Sequence, residues 1–157
     1  MKKIIRIAVI AALAVLAVAC SKPEKKMLEG TWQWTRTSGS IAGVNYTPES
    51  EGFEAEIVFK GGKFTFYKDG KKVTSGSYRV NTCDYPYPYE RPTLGTELFY
   101  TLHIPADCEK IAEATNGKIN LAPTNFVYLY SVSGDFWELT IQEDHVYDGF
   151  QTSFKKK

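Results

Sequence analysis

Apolar and polar residues alternate with a period of two along most of the chain beyond residue 28, and patterns of helical period are nearly absent. Phe53, Ala55, Ile57 and Phe59 alternate with Glu54, Glu56 and Val58, as in a half-buried strand. Gly61-Gly62 follows as a two-residue hairpin signal, Phe64 and Phe66 alternate with Lys63, Thr65 and Tyr67, and Asp69-Gly70 is a second turn of the same kind. Residues 73–80 form the third strand of this meander, with Gly76 suggesting a bulge. Residues 98–104, 126–132 and 136–142 also have strand character, and Ser133-Gly134-Asp135 marks the turn between the last two. Near the end, Val146, Asp148, Phe150, Thr152 and Phe154 share one face. With residues 31–37 at the front, the pattern predicts eight strands joined mainly by short turns.

Two stretches break the meander. In residues 81–95, Tyr85, Tyr87 and Tyr89 alternate with Pro86 and Pro88, which predicts a loop or polyproline-II chain. In residues 105–125, Asp107 caps an expected short helix from Cys108 to Thr115, ended by Asn116-Gly117. The expected fold class is all-β, an eight-stranded antiparallel up-and-down barrel. Closure removes exposed edges, and each tight turn makes strands that are neighbours in sequence neighbours in space. A sandwich with Greek-key crossovers is the alternative.

The N-terminus carries an address. Lys2, Lys3 and Arg6 precede an unbroken apolar run from Ile7 to Val18, which is shorter than the ~20 residues of a bilayer span and suits a signal peptide. The run ends Leu16-Ala17-Val18-Ala19-Cys20, small residues before a cysteine, as in a bacterial lipobox; Ala17-Val18-Ala19 also fits an ordinary cleavage site. The expected organisation is a signal peptide at 1–19, a lipidated Cys20 with a tether at 20–27, and one barrel domain at 28–157. Acyl chains on Cys20 contribute about 0.8 kcal/mol of membrane affinity per buried CH₂. The outer membrane, reached through that anchor, is thus an expected partner.

A chain of 157 residues suits one domain, and an aromatic content of 14% is far from that of a disordered chain. The net charge of +1 lacks the basic excess of a nucleic-acid binder.

Gly30-Thr31-Trp32 at the start of the first strand resembles the lipocalin (calycin) signature. In that family the Trp plugs the closed end of the barrel and a basic residue near the last strand lies over the indole; Lys155 to Lys157 are the nearest basic residues here. Together with residues 43–48, 75–78 and Asp148-Gly149, the chain is similar to small lipocalin-like lipoproteins of Bacteroidetes. The resemblance covers most of residues 28–154 and implies fold and anchoring, with no assigned ligand. Surface export in such groups is associated with acidic residues after the Cys. The mostly basic Ser21–Lys26 tether therefore favours the periplasmic face of the outer membrane.

Candidate chemistry is sparse. The period of two puts Trp32, Trp34 and Arg36 on one face; inside a barrel, Arg36 would meet a ligand carboxylate with two hydrogen bonds, and at a strand end it would reach water. Trp34, Arg36, Phe64, Phe66, Tyr78, Tyr100 and Tyr128 are the expected ligand-binding residues, beside Phe53, Ile57, Phe150 and Phe154 on the inward faces. Tyr85, Tyr87 and Tyr89 form a candidate interaction loop, or a stiff cover for one barrel end. Glu143, Asp144, His145 and Asp148 lack the form of a calcium loop, and His103 and His145 belong to no spaced Cys/His set, so no metal is expected. No nucleophile, triad or phosphate-loop motif is present, and no enzyme activity or cofactor is expected. An oxidising compartment favours pairing of Cys83 with Cys108, whereas a strict meander separates them by ~25 Å. Both states stay open. The leading functional reading is a barrel binding a small apolar or amphipathic molecule. The other is an interaction module with a filled barrel, an accessory subunit of an envelope complex or an enzyme inhibitor.

Overall fold

The computed structural model describes residues 23–39, 43–82, 96–104, 108–131, 136–143 and 149–157. These form ten strands and three short helices: α1 (Pro23–Leu28), β1 (Gly30–Gly39), β2 (Val44–Tyr46), α2 (Pro48–Glu51), β3 (Ala55–Lys60), β4 (Lys63–Lys68), β5 (Lys71–Ser77), β6 (Arg79–Thr82), β7 (Thr96–His103), α3 (Cys108–Ala114), β8 (Thr124–Ser131), β9 (Phe136–Glu143) and β10 (Gln151–Lys156). Every pairing is antiparallel. The strands form one sheet in the order β5-β4-β3-β1-β10-β9-β8-β7-β6, with β2 added beside β1. Among the described residues no helix is long and apolar enough to cross a membrane.

The two expected hairpins are present. Gly61 and Gly62 have φ of 58° and 78°, and Asp69 and Gly70 have 50° and 71°. Positive φ at both central residues is the turn geometry whose twist matches paired strands, so β3-β4-β5 follow each other without slack. The expected helix after residue 107 is α3, and Asn116 and Gly117 beyond it have φ of 51° and 73°.

Several expectations are corrected. The tether segment from Pro23 onward is helical, and Leu28 at its end is fully buried. The third strand of the meander is two strands. Tyr78 N–H donates to the Gly62 carbonyl at 3.1 Å, after which the turn at Gly61-Gly62 leaves no β4 backbone to pair with; from Arg79 onward the chain pairs with β7 instead. Gly76 is regularly paired with Phe64, and the bulge of this strand pair falls at Val73 of β5, left without a register partner between Lys72 and Thr74, which face the consecutive Tyr67 and Phe66. Gly76 is needed for space, because a Cβ there would stand 2.9 Å from the Phe64 ring.

The core lies on one face of the sheet. Trp32, Trp34, Ile57, Phe64, Phe66 and Phe154 are fully buried there, and Ile111, Ile119 and Leu121 from the β7–β8 connection join them.

Candidate functional site

The site is the apolar face of the sheet, and β1 sets its geometry. Trp32 is fully buried, and its Nε1 donates to the Leu28 carbonyl at 2.7 Å, which ties β1 to the end of α1. Trp34 stacks on Phe53 with ring centroids 5.0 Å apart and planes 13° from parallel. Its Nε1 donates to Thr37 Oγ1 at 3.0 Å, and Thr37 Oγ1 donates to Thr152 Oγ1 at 3.3 Å. The buried polar groups of Trp32, Trp34 and Thr37 thus each have a partner, as burial requires.

Arg36 does not join this face. The register of β1 against β10 shifts between Trp34 and Arg36, so the unpaired Thr35 makes a bulge. One extra residue exchanges the faces of everything that follows. Arg36 is therefore exposed and Thr37 is buried in its place. The alternation carries no mark of this bulge, and the buried Thr37–Thr152 pair was invisible for the same reason.

Phe64 and Phe66 are brought together as expected, both fully buried. Phe53 and Phe154 are buried on the same face, while Phe150 lies before β10 and is half-buried. Tyr100 lies on β7 as the register partner of Val127 on β8. Tyr128 lies on β8, in register with Phe99 on β7 and Thr140 on β9. Cys20 and Tyr85, Tyr87 and Tyr89 lie outside the described residues, as do Asp144, His145 and Asp148. Cys83 lies outside them too, and Cys108 Sγ stands 3.3 Å from the Ile104 carbonyl oxygen. Among the described residues no cluster of three metal-ligating side chains is present.

Tyr78 is the least ordinary member of the site. It is 2% exposed, its ring meets Phe59 edge-on at 4.9 Å, and its buried hydroxyl has no hydrogen-bond partner among the described residues. Burial, reinforced by the negative charge of Glu29, pushes its pKa up to about 12. An unsatisfied buried hydroxyl costs about 1–3 kcal/mol.

Both ends of the apolar face are covered. At the Gly61-Gly62 end stand Leu28 and Trp32, and Lys156 Nζ lies 5.3 Å from the centroid of the Trp32 ring. At the Asp69-Gly70 end, α3 packs against β5, and Lys68 Nζ donates to the Ala114 carbonyl at 2.7 Å while standing 4.7 Å from the Phe53 ring centroid. Lys118 pairs with Glu51 of α2 at 3.3 Å and lies over Tyr46. The role of the β7–β8 connection as a cover was missed from sequence, although Ile111, Ile119 and Leu121 are an apolar set unusual for a loop.

The outer face carries a groove of about 260 Å³ between α2 and the β1–β10 pair, lined by Gln33, Thr35, Pro48, Glu49, Glu54 and the three C-terminal lysines. Two of its charged groups have side-chain partners: Gln33 donates to Glu54, and Lys157 pairs with Glu56. His103 on that side is held by Asn81 at 3.3 Å and Thr124 at 3.2 Å.

Comparison of the chain with models of known protein families, with curated proteins and with solved structures finds no match.

Proposed function

We propose that this protein is a lipid-anchored lipocalin-like barrel of the bacterial envelope that holds a small amphipathic molecule against its apolar face. The barrel reading rests on the pairing register. The two ends of the sheet, β5 and β6, are consecutive segments separated by Tyr78 alone, so one stretch of chain serves both edges. A circuit of paired residues from Lys72 through Tyr67, Glu56, Gln33, Lys155, Glu138 and Tyr130 reaches Glu97, just ahead of Tyr100, the partner of Thr82. The circuit returns to its starting stretch displaced by ~13 residues, the kind of stagger that closure of tilted strands requires. Lys156 over Trp32 is the arrangement that the Gly-x-Trp resemblance implies.

The orphan hydroxyl of Tyr78 carries the ligand reading. Phe at this position would pack equally well without leaving a polar group unsatisfied. A ligand bearing a carbonyl, hydroxyl or carboxylate offsets that cost by accepting the Tyr78 proton, and apolar walls with a few polar groups are how small-molecule sites are built. The ligand's other end would meet the Phe64 and Phe66 rings. Anchoring at Cys20 and a periplasmic outlook follow from the leader and the basic tether. No catalytic group takes part in this reading.

The competing reading, a filled barrel acting through its outer surface, is favoured by the number of large rings buried together. Titration with an environment-sensitive fatty-acid probe separates the two. Micromolar binding by the wild type, weakened at least ~tenfold by Tyr78→Phe, supports the ligand site. Absence of binding by the folded wild type supports the filled barrel. Anchoring is tested independently by labelling cells with a palmitate analogue, which should mark the wild type and not Cys20→Ser.

A further inference from the structure

We propose that the end of the sheet carrying Trp32 docks on a membrane surface rich in anionic phospholipid, with Trp137 at the headgroup level. The inference rests on the proposed anchoring at Cys20 and goes beyond it, since a tether alone leaves the domain free to present any side.

The N-terminal segment outside the described residues ends at α1, and α1 is fastened to this end by the Trp32–Leu28 hydrogen bond and by its packing against β6. Cys20 lies three residues before Pro23, where α1 begins, so a bilayer holding its acyl chains lies close to this end. The same end collects cations. Lys60 and Lys63 face each other across the Gly61-Gly62 turn, both exposed, and Lys26 is exposed on α1. Like charges directly opposite in a strand pair are destabilising, and an anionic surface relieves them. Of the acidic groups nearby, Glu29 accepts from the Gly61 N–H at 3.0 Å, Glu56 pairs with Lys157, Glu138 is the cross-strand partner of Lys155, and Glu24 stands among the lysines of the N-terminal segment, so lysines outnumber free carboxylates at this end. Lys26, Lys60 and Lys63 have no ion-pair partner among the described residues, and the sequence adds Lys22 and Lys25 just ahead.

Trp137 supplies the apolar contact. It is 41% exposed and precedes Glu138, the partner of Lys155, at the point where the β8–β9 register shifts. Trp is suited to the interface because its ring is apolar and its N–H stays hydrated. A free anionic protein could share the charge complementarity; the membrane is favoured by the tether, which holds this end at the bilayer at high effective concentration.

The test uses the full chain reconstituted through its own N-terminal segment into vesicles of phosphatidylcholine, with or without phosphatidylglycerol, containing lipid brominated near the headgroup. Trp32 and Trp34 are buried, so the part of the quenching lost in Trp137→Phe belongs to Trp137. Quenching is expected in anionic vesicles only, and high salt should remove it. The ratio of docked to undocked protein should fall about fivefold for each of Lys60→Gln and Lys63→Gln. The same change of net charge at the opposite end, Lys71→Gln with Lys72→Gln, should leave quenching intact. Equal quenching in neutral vesicles, insensitivity to Lys60 and Lys63, equal sensitivity to Lys71 and Lys72, or no Trp137 quenching at all overturns the proposal. Palmitate labelling of Cys20 reads the anchor separately, so docking without labelling, or labelling without docking, is recognised as such.

Discussion

Lys156 and Trp32 are cross-strand partners on β10 and β1, and the ammonium of one lies 5.3 Å from the ring centroid of the other. The pair closes the end of the apolar face: the indole is fully buried, its N–H is spent on the Leu28 carbonyl, and the lysine ammonium lies over the ring.

Trp32→Ala should therefore cost about 3–5 kcal/mol in chemical denaturation. Lys156→Met keeps the stem and removes the cation, and should cost about 0.5–1 kcal/mol. If Lys156→Met costs as much as Trp32→Ala, the lysine holds the end by some means other than the ring.

Gly76 and Phe64 are paired across β5 and β4 with no room between them. Gly76→Ala should destabilise by about 1–3 kcal/mol through overpacking. Adding Phe64→Leu should recover part of that loss, so a double-mutant cycle should yield a favourable coupling. Additive costs would mean that Gly76 serves the backbone and not the ring.

Tyr78 gives a pH signature. Its pKa is raised from 10.0 to about 12 in the folded chain. Between those values the unfolded chain releases the phenol proton while the folded chain keeps it, so stability falls as pH rises from 10.0 toward about 12. Below pH 10.0 the contribution is fully present. Tyr78→Phe should lose this part of the alkaline slope in urea midpoints measured against pH, and near neutrality it should be more stable than the wild type. Parallel pH profiles for the two proteins, or a destabilised variant, would show that the hydroxyl is already satisfied.

Lys68 reaches from the β4 end to the last turn of α3, where cations are favoured near helix carbonyls. Lys68→Met should loosen the cover over the Asp69-Gly70 end. Hydrogen exchange should quicken in residues 111–119 while the β3–β4 amides keep their protection. Uniform quickening across the sheet would make Lys68 part of the global fold.

Much of the fold was legible because β-structure writes its faces directly into the chain. Phe53, Ala55, Ile57 and Phe59 on one strand side, with Phe64 and Phe66 opposite, specify which face is buried, and the Gly61-Gly62 and Asp69-Gly70 turns specify register, since only such residues accept positive φ twice in succession. That Trp32 and Trp34 share a face was legible from the same period of two. These are local properties, set by sterics and a period of two, and each can be read without knowing what lies across the sheet. The exposure of Arg36 is of another kind. Nothing in Trp34-Thr35-Arg36-Thr37 distinguishes a regular strand from a bulged one; the shift arises where β1 must match β10 and accept β2. The division of one strand at Tyr78 depends on where β4 runs out and β7 begins, two stretches far apart in the chain. The orphan state of the Tyr78 hydroxyl, the placement of α3 over one end and the gathering of Lys26, Lys60 and Lys63 at the other are likewise relations between distant segments. Only packing in three dimensions decides them, because burial, pairing and electrostatic proximity depend on distance through space, and the alternation of residues along a strand carries no information about which partner will stand beside it.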